Sequence, residues 1–314
     1  MNVLVLGAGV VGLWCARELL AAGHRVRLWS KDDPLETTSS IAAAIWYPYE
    51  VQPADRVVPW ALHSLRVYTS LAKDPASGIR LVGGVERTHA DAEPPAWLRA
   101  LPGFEELATS ELGPGYARGW HLRVPVIETP RHLPWLVHGI HAAGGAIETR
   151  AVERLEEADG EAEVIVNATG LGARALCDDK DLHPIQGQVV CVEAGGLDRW
   201  TFFQRTADTP GYVIPRTDDV VLGGSAIHDA WSRTPDDERT EHILASCAEE
   251  VPELAGRAPR RIRVGLRPGR TTVRLEREER TGGTPIVHVY GHGGAGVTLA
   301  AGCADEVRRI VEER

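Results

Sequence analysis

Asn2-Val3-Leu4-Val5-Leu6-Gly7-Ala8-Gly9-Val10-Val11-Gly12 opens the chain and decides its architecture. Asn2 to Leu6 is a short, continuously apolar run, the pattern of a strand buried on both faces in a parallel sheet. The segment Val10 to Ala22 repeats apolar residues at helical spacing, and Gly23 stops it as a C-terminal capping glycine does. Arg25 to Trp29 reads as the next parallel strand, so the unit is strand, glycine turn, helix, strand, with a right-handed connection. Between the first strand and its helix, Gly7, Gly9 and Gly12 form G-x-G-x-x-G. Gly7 serves a tight turn, Gly9 lets a pyrophosphate approach the backbone, and Gly12 packs helix on strand. Phosphates at this place meet a helix N-terminus whose dipole attracts negative charge. The motif therefore predicts dinucleotide binding by the loop that includes Ala8, Val10 and Val11; a glycine turn serving packing alone is the competing reading.

Working outward, a helix around His132 to Ala142, ended by Gly144 and Gly145, leads to a strand at Ala146 to Thr149, and Glu163 to Val166 is another buried strand of the same sheet. Strand-like runs of different texture lie between and after these, at Ile79 to Arg87, Gly119 to Ile127, Gln188 to Glu193, Tyr212 to Pro215 and Val220 to Gly224. A final amphipathic helix spans about Ala295 to Glu312. The expected fold class is α/β plus antiparallel β: a Rossmann-like dinucleotide-binding domain interleaved with a second domain built on a mainly antiparallel sheet. The expected boundaries are 1–54, 130–184 and 270–314 for the first domain, and 55–129 and 185–269 for the second.

Composition limits what such a fold can do. The chain has 314 residues, 43% hydrophobic and 25% charged, enough for one large or two ordinary domains with a real core. Its 44 acidic against 34 basic residues give a net charge of -10, and the basic residues are scattered, which argues against nucleic-acid binding. No apolar stretch approaches the roughly 20 residues needed to cross a bilayer, so no membrane partner is expected. Five cysteines without a C-x-x-C pair or metal-ligand spacing read as reduced structural thiols, with no metal site and a cytoplasmic location.

Several further stretches carry chemistry. Ser30-Lys31-Asp32-Asp33 ends the second strand, where a ribose hydroxyl is usually held by an acidic residue; Asp32, Lys31 or a merely solvated turn all remain open. Thr37-Thr38-Ser39-Ser40 places hydroxyls suited to a pyrophosphate, and Ala42-Ala43-Ala44 lets a flat ring lie close. As an isolated string it equally describes an N-capped core helix. Val166-Asn167-Ala168-Thr169-Gly170 ends a buried strand with small residues. Tyr290-Gly291-His292-Gly293-Gly294-Ala295-Gly296-Val297-Thr298 is a second glycine loop opening onto a helix, whose N-terminus would stabilise negative charge on a flavin. His292 is either part of that chemistry or a turn residue bonded to backbone. Arg267, among apolar neighbours, must pair with an anion or carry a large desolvation cost, and its fork suits a carboxylate. Arg274 and Arg277, with acidic neighbours, read as surface pairs.

Taken together and in order, Val-Leu-Gly-Ala-Gly-Val-Val-Gly-Leu, the Thr-Thr-Ser-Ser to Ala-Ala-Ala-Ile-Trp-Tyr-Pro-Tyr stretch, Val-Asn-Ala-Thr-Gly, Gly-Tyr-Val-Ile-Pro-Arg, Gly-Leu-Arg-Pro-Gly-Arg, Val-Arg-Leu-Glu-Arg-Glu and Tyr-Gly-His-Gly-Gly-Ala-Gly resemble the D-amino-acid oxidase family of flavoproteins over nearly the whole chain. The resemblance implies non-covalently bound FAD, held by Gly7 to Gly12, Thr38, Ser39, Ala43, Ala44, Val152, Thr169, Gly170, His292 to Gly294 and Gly296 to Thr298. It implies oxidation of a D-amino acid, with O2 as acceptor, to a 2-oxo acid, ammonia and H2O2 by hydride transfer from Cα to flavin N5. Arg267 would then bind the substrate carboxylate, Tyr212 on the adjacent strand would support it, and the Gly294 carbonyl would take the amine.

The chain departs from the family where a second active-site tyrosine is frequent, holding Asp208 and Ala226 there; Tyr47 is a candidate to close the pocket instead. Neutral D-amino acids are the expected substrates. The alternatives are a related amine oxidase acting on glycine, sarcosine or D-aspartate, or a flavin dehydrogenase with another acceptor. A homodimer is one open assembly state.

Overall fold

In the computed structural model, which describes residues 1–48, 51–206 and 210–313, the opening apolar run is the strand Asn2–Leu6, and Val3 to Leu6 are buried. It lies inside a six-stranded sheet ordered Arg274–Glu278, Ile286–Tyr290, Val164–Asn167, Asn2–Leu6, Arg25–Ser30, Ala146–Thr149. All neighbours are parallel except the edge strand Arg274–Glu278. Helix Val10–Ala21 ends as the sequence predicts. Gly23 takes φ +85°, its N–H donates to Leu20, and His24 N–H donates to Leu19, which together satisfy the terminal carbonyls.

A second sheet holds nine strands among the described residues, in the order Ile227–His228, His183–Glu193, Asp219–Gly223, Pro210–Pro215, Trp200–Gln204, Ile79–Thr88, Arg118–Ile127, Glu105–Glu106, with Arg261–Gly269 also on His183–Glu193. Every pairing is antiparallel except Ile79–Thr88 with Trp200–Gln204. The antiparallel runs read from sequence all belong here, four of them lengthened and Val220 to Gly224 shifted by one residue to Asp219–Gly223.

Two long helices among the described residues escape the sequence reading. Ala54–Leu71 packs on the last helix, Gly296–Glu312, where a Cβ at Gly302 would fall 2.1 Å from the Trp60 carbonyl. Asp237–Glu250 carries an Asp236 cap and only a narrow apolar stripe, with Ile243 and Cys247 at its centre. That stripe covers Val190, Val192, Val213, Val220 and Leu222 as a core of its own. Its charged remainder hides the helical period, which is why composition conceals it.

Gly296–Glu312 packs against Val10–Ala21 as well, burying Leu13, Trp14, Leu299, Ala300 and Val307. Burying each of the Leu and Val side chains among them contributes about 1.5–3 kcal/mol. This packing aims the N-termini of both helices at the carboxyl ends of the parallel strands, the place where open α/β sheets bind ligands.

Candidate active site

A cleft of about 750 Å³ lies between those strand ends and one face of the antiparallel sheet, within the usual range for ligand pockets of roughly 300–1,000 Å³. At its first end, Gly7 turns the chain at φ +99°, and a Cβ there would sit 2.5 Å from the Ala168 carbonyl. Gly12 stands behind the loop and does not line the cleft; a Cβ on it would come 1.9 Å from the Gly7 carbonyl. Of the three glycines it is the one that packs helix on strand. Gly7, Ala8, Gly9, Val10 and Val11 line the cleft.

Helix Val10–Ala21 has no cap from Gly9; instead the Val10 N–H donates to Ser39 Oγ at 3.0 Å. Thr38–Ile41 is a single 3-10 turn, and beyond it the chain runs extended with Ala44 at φ +56°. The core-helix alternative for this stretch is thereby excluded: Ile45 bridges to Val126 of the antiparallel sheet instead. Thr38, Ser39, Ala43 and Ala44 line the cleft, as do Val152, Thr169 and Gly170. Asn167 Oδ1 accepts from the Thr169 hydroxyl at 2.7 Å and so fixes that turn. Lys31 and Asp32 both reach the rim and are largely exposed, 4.0 Å from each other. Arg150, absent from the sequence reading, stacks 3.6 Å above the Trp29 ring.

The second glycine loop follows strand Ile286–Tyr290. His292, Gly293, Gly294, Gly296, Val297 and Thr298 all line the cleft, and helix Gly296–Glu312 begins without a side-chain cap. The His292 ring is not bonded to backbone. Its Nε2 is buried and unpartnered, and burial pushes its pKa down to about 4, so the ring is neutral. The Thr298 hydroxyl accepts from Tyr47 N–H at 3.2 Å and donates to Tyr47 O at 3.0 Å.

At the other end stand Arg267 and Tyr212, close enough for the Arg267 charge to act on the Tyr212 hydroxyl. Here the expectation of adjacent strands is corrected: two strands, Asp219–Gly223 and His183–Glu193, separate Pro210–Pro215 from Arg261–Gly269. Missing side chains bring the pair together. The Arg267 guanidinium lies over Gly187, where a Cβ would be 2.3 Å from Nη2. The Tyr212 ring lies over Gly223, where a Cβ would be 2.2 Å from Cζ. Arg267 Nη1 donates to Ser225 O at 2.8 Å, leaving other donors of its fork for a ligand. Burial raises the Tyr212 hydroxyl, partly opposed by the Arg267 charge, so it remains a neutral donor.

Ala226, Gly294 and Tyr47 line the cleft too; Tyr49 and Asp208 lie outside the described residues. Tyr47 meets Phe202 and Trp97 edge-on, at 5.5 and 5.9 Å between ring centres. Gly187, Phe202 and Glu86, absent from the sequence reading, line the same end. The alternation of Ile79 to Arg87 places Glu86 on one face, but which face looks into the cleft is a tertiary fact. Arg274 and Arg277 form the pairs expected, with Glu276, Glu278 and Glu279, although Arg274 also donates to the Tyr290 hydroxyl at 2.9 Å.

The residues present fit FAD. Two helix N-termini face the cleft, neither capped by its own preceding residue, and a Cβ on Gly293 would meet nothing within 4 Å. Two buried ring nitrogens of cleft-lining residues, Trp29 Nε1 and His292 Nε2, have no partner.

Comparison with known proteins agrees. The chain is 44% identical over 311 residues to a D-amino-acid oxidase of Rubrobacter xylanophilus, covering 98% of this chain and 95% of that one. It is 34% identical to a human D-aspartate oxidase, covering 99% and 95%. Glycine oxidase from Geobacillus kaustophilus shares the fold, with TM-score 0.84 at 21% identity over 99% of this chain and 94% of that one. The model of the DAO family, FAD dependent oxidoreductase, matches residues 2–310, and the chain belongs to that family.

Proposed function

We propose that the chain oxidises D-amino acids, neutral ones among them, to 2-oxo acids and ammonia, with O2 as acceptor. The carrying observation is the Arg267–Tyr212 pair, a fixed cation and a neutral hydroxyl facing the cleft across from the second glycine loop. FAD held along the two glycine loops would supply a hydride acceptor for the substrate Cα and a route for the electrons to O2, giving H2O2, with water hydrolysing the imino acid to the 2-oxo acid and ammonia. The chain supplies positioning. Arg267 binds the substrate carboxylate with the donors that Ser225 leaves free, and Tyr212 donates a further hydrogen bond to it. The Gly294 carbonyl takes the amine, so that the hydrogen on Cα has one direction to leave.

No base on Cα is required, and His292, held neutral by burial without a partner, is suited to bonding a cofactor rather than shuttling protons. Segments 1–54, 130–184 and 270–314 serve FAD, and 55–129 and 185–269 serve the substrate. Cytoplasmic residence accords with five free cysteines, and no helix among the described residues is long and apolar enough to cross a membrane.

The test is an anaerobic mix of the purified protein with D-alanine and, separately, L-alanine, followed by air and a peroxide assay. Bleaching of the flavin by D-alanine alone, with peroxide on reoxidation, is the expected result. In Arg267→Ala the flavin should stay bound and turnover should be lost; unchanged turnover would remove the carboxylate role.

A further inference from the structure

One acidic side chain at the substrate end is not used by the chemistry above. Glu86 lines the cleft, and the sheet register puts it in a row: Trp120 opposite Glu86, Glu86 opposite Phe202, Phe202 opposite Tyr212, Tyr212 opposite Gly223. Directly opposite residues share a face, and neighbouring strands lie about 4.8 Å apart, so Glu86 stands two strands, about 10 Å, from Tyr212 along the cleft floor. Phe202 forms the apolar floor between them. A substrate whose carboxylate is held by Arg267 and Tyr212 and whose side chain runs along this row ends at Glu86.

The surroundings of Glu86 supply hydrogen bonds but no opposite charge. Trp120 Nε1 donates to its Oε2 at 2.9 Å, and the Tyr47 hydroxyl acts on it from beside the same cleft wall. Among the described residues no Arg, Lys or His lies within ion-pair distance; the neighbouring Arg87 turns to Glu250 at 3.7 Å. A desolvated carboxylate without a counter-ion is costly, and a cation delivered by a ligand relieves that cost. Burial accordingly pushes the Glu86 carboxyl up to about 7, against the lowering effect of Tyr47 and Trp120.

We infer that Glu86, fixed by Tyr47 and Trp120, determines side-chain specificity by favouring D-amino acids with basic side chains and rejecting those with acidic ones. The inference deepens the oxidase reading and rests on it. An acidic substrate brings a second carboxylate to a place with no cation, whereas the ammonium of D-lysine or the guanidinium of D-arginine completes an ion pair there. The aromatic floor of Phe202 and Tyr47 covers the aliphatic stem.

The experiment measures kcat/KM for D-lysine, D-arginine, D-glutamate and D-alanine with the holoenzyme and with Glu86→Gln, which keeps shape and an acceptor while removing the charge. The wild type should turn over D-lysine at least about tenfold better than D-glutamate, the equivalent of one ordinary charge contact. Glu86→Gln should shrink the ratio of D-lysine to D-glutamate by about tenfold or more. Preference of the wild type for D-glutamate, or an unchanged ratio in a variant that retains flavin, would overturn the inference. The wild-type ratio alone decides the matter if the variant does not fold. Failure of all four D-amino acids to bleach the flavin would instead overturn the oxidase reading, and this inference with it.

Discussion

The sharpest test of the cleft floor is Gly187→Ala, which adds one methyl group and changes no charge. The added Cβ would lie 2.3 Å from Arg267 Nη2, 2.5 Å from Cζ and 2.7 Å from Nη1, where ordinary contact begins at 3.4 Å. The guanidinium must therefore rise by about 1 Å, a displacement of the size that costs about 100-fold when it misplaces a substrate. Hydrogen bonds to charged groups are each worth about 1.5–3 kcal/mol, so losing one good bond of the fork weakens kcat/KM by roughly 10- to 100-fold. The flavin content should not change, because the nearest atoms to the added methyl are those of the Arg267 guanidinium. The assay is steady-state peroxide production from D-alanine with flavin content measured beside it. Gly83→Ala, on the same sheet with nothing within 4 Å of its Cβ, is the control and should behave as wild type. A Gly187→Ala enzyme within about threefold of wild type in kcat/KM would refute the claim that Arg267 needs this bare backbone to reach the substrate.

Gly12→Ala drives a methyl to 1.9 Å from the Gly7 carbonyl, and overpacking of this kind typically costs about 1–3 kcal/mol; a lower melting temperature and protein purified without flavin are expected, and a yellow variant of normal stability would refute the packing role. Burial holds both His132 and His292 at about 4. Since the unfolded chain takes up protons on these rings near 6.5 and the folded chain does not, stability is full above that pH and is lost as pH falls from about 6.5 to about 4. Denaturant titrations across this window should show that slope, and His132→Gln should flatten it; an identical slope in the variant would exclude His132 as a source.

The phosphate end of the cleft is legible in the sequence because local rules govern it. A buried strand, a glycine turn and a helix fix where Gly7 and Val10 must be, whatever else the chain does. The same holds for the loop at Gly291 to Gly296. The substrate end is different. Arg267 stands out as a cation among apolar neighbours, yet its route to Tyr212 depends on Gly187 and Gly223, two residues whose contribution is the absence of atoms. Nothing local marks them. Glu86 reads as one charged residue in an alternating strand until pairing with Trp200–Gln204 puts it in the row of Tyr212. The two long unpredicted helices fail for a related reason: Asp237–Glu250 is held by a stripe too narrow to show above its charges.

The packing of the last helix on the first gives cofactor retention a place in the life of the chain. Val10–Ala21 leaves the ribosome long before Gly296–Glu312, yet the two pack on each other. The loop that closes the far side of the cleft is the entrance to that last helix. Until it docks, the face of Val10–Ala21 turned toward it is bare and the cleft lacks a wall. Bound flavin is thus a sign that Gly296–Glu312 has been made and has docked, and a chain ended before Gly296 should emerge colourless and prone to aggregate through the uncovered helix.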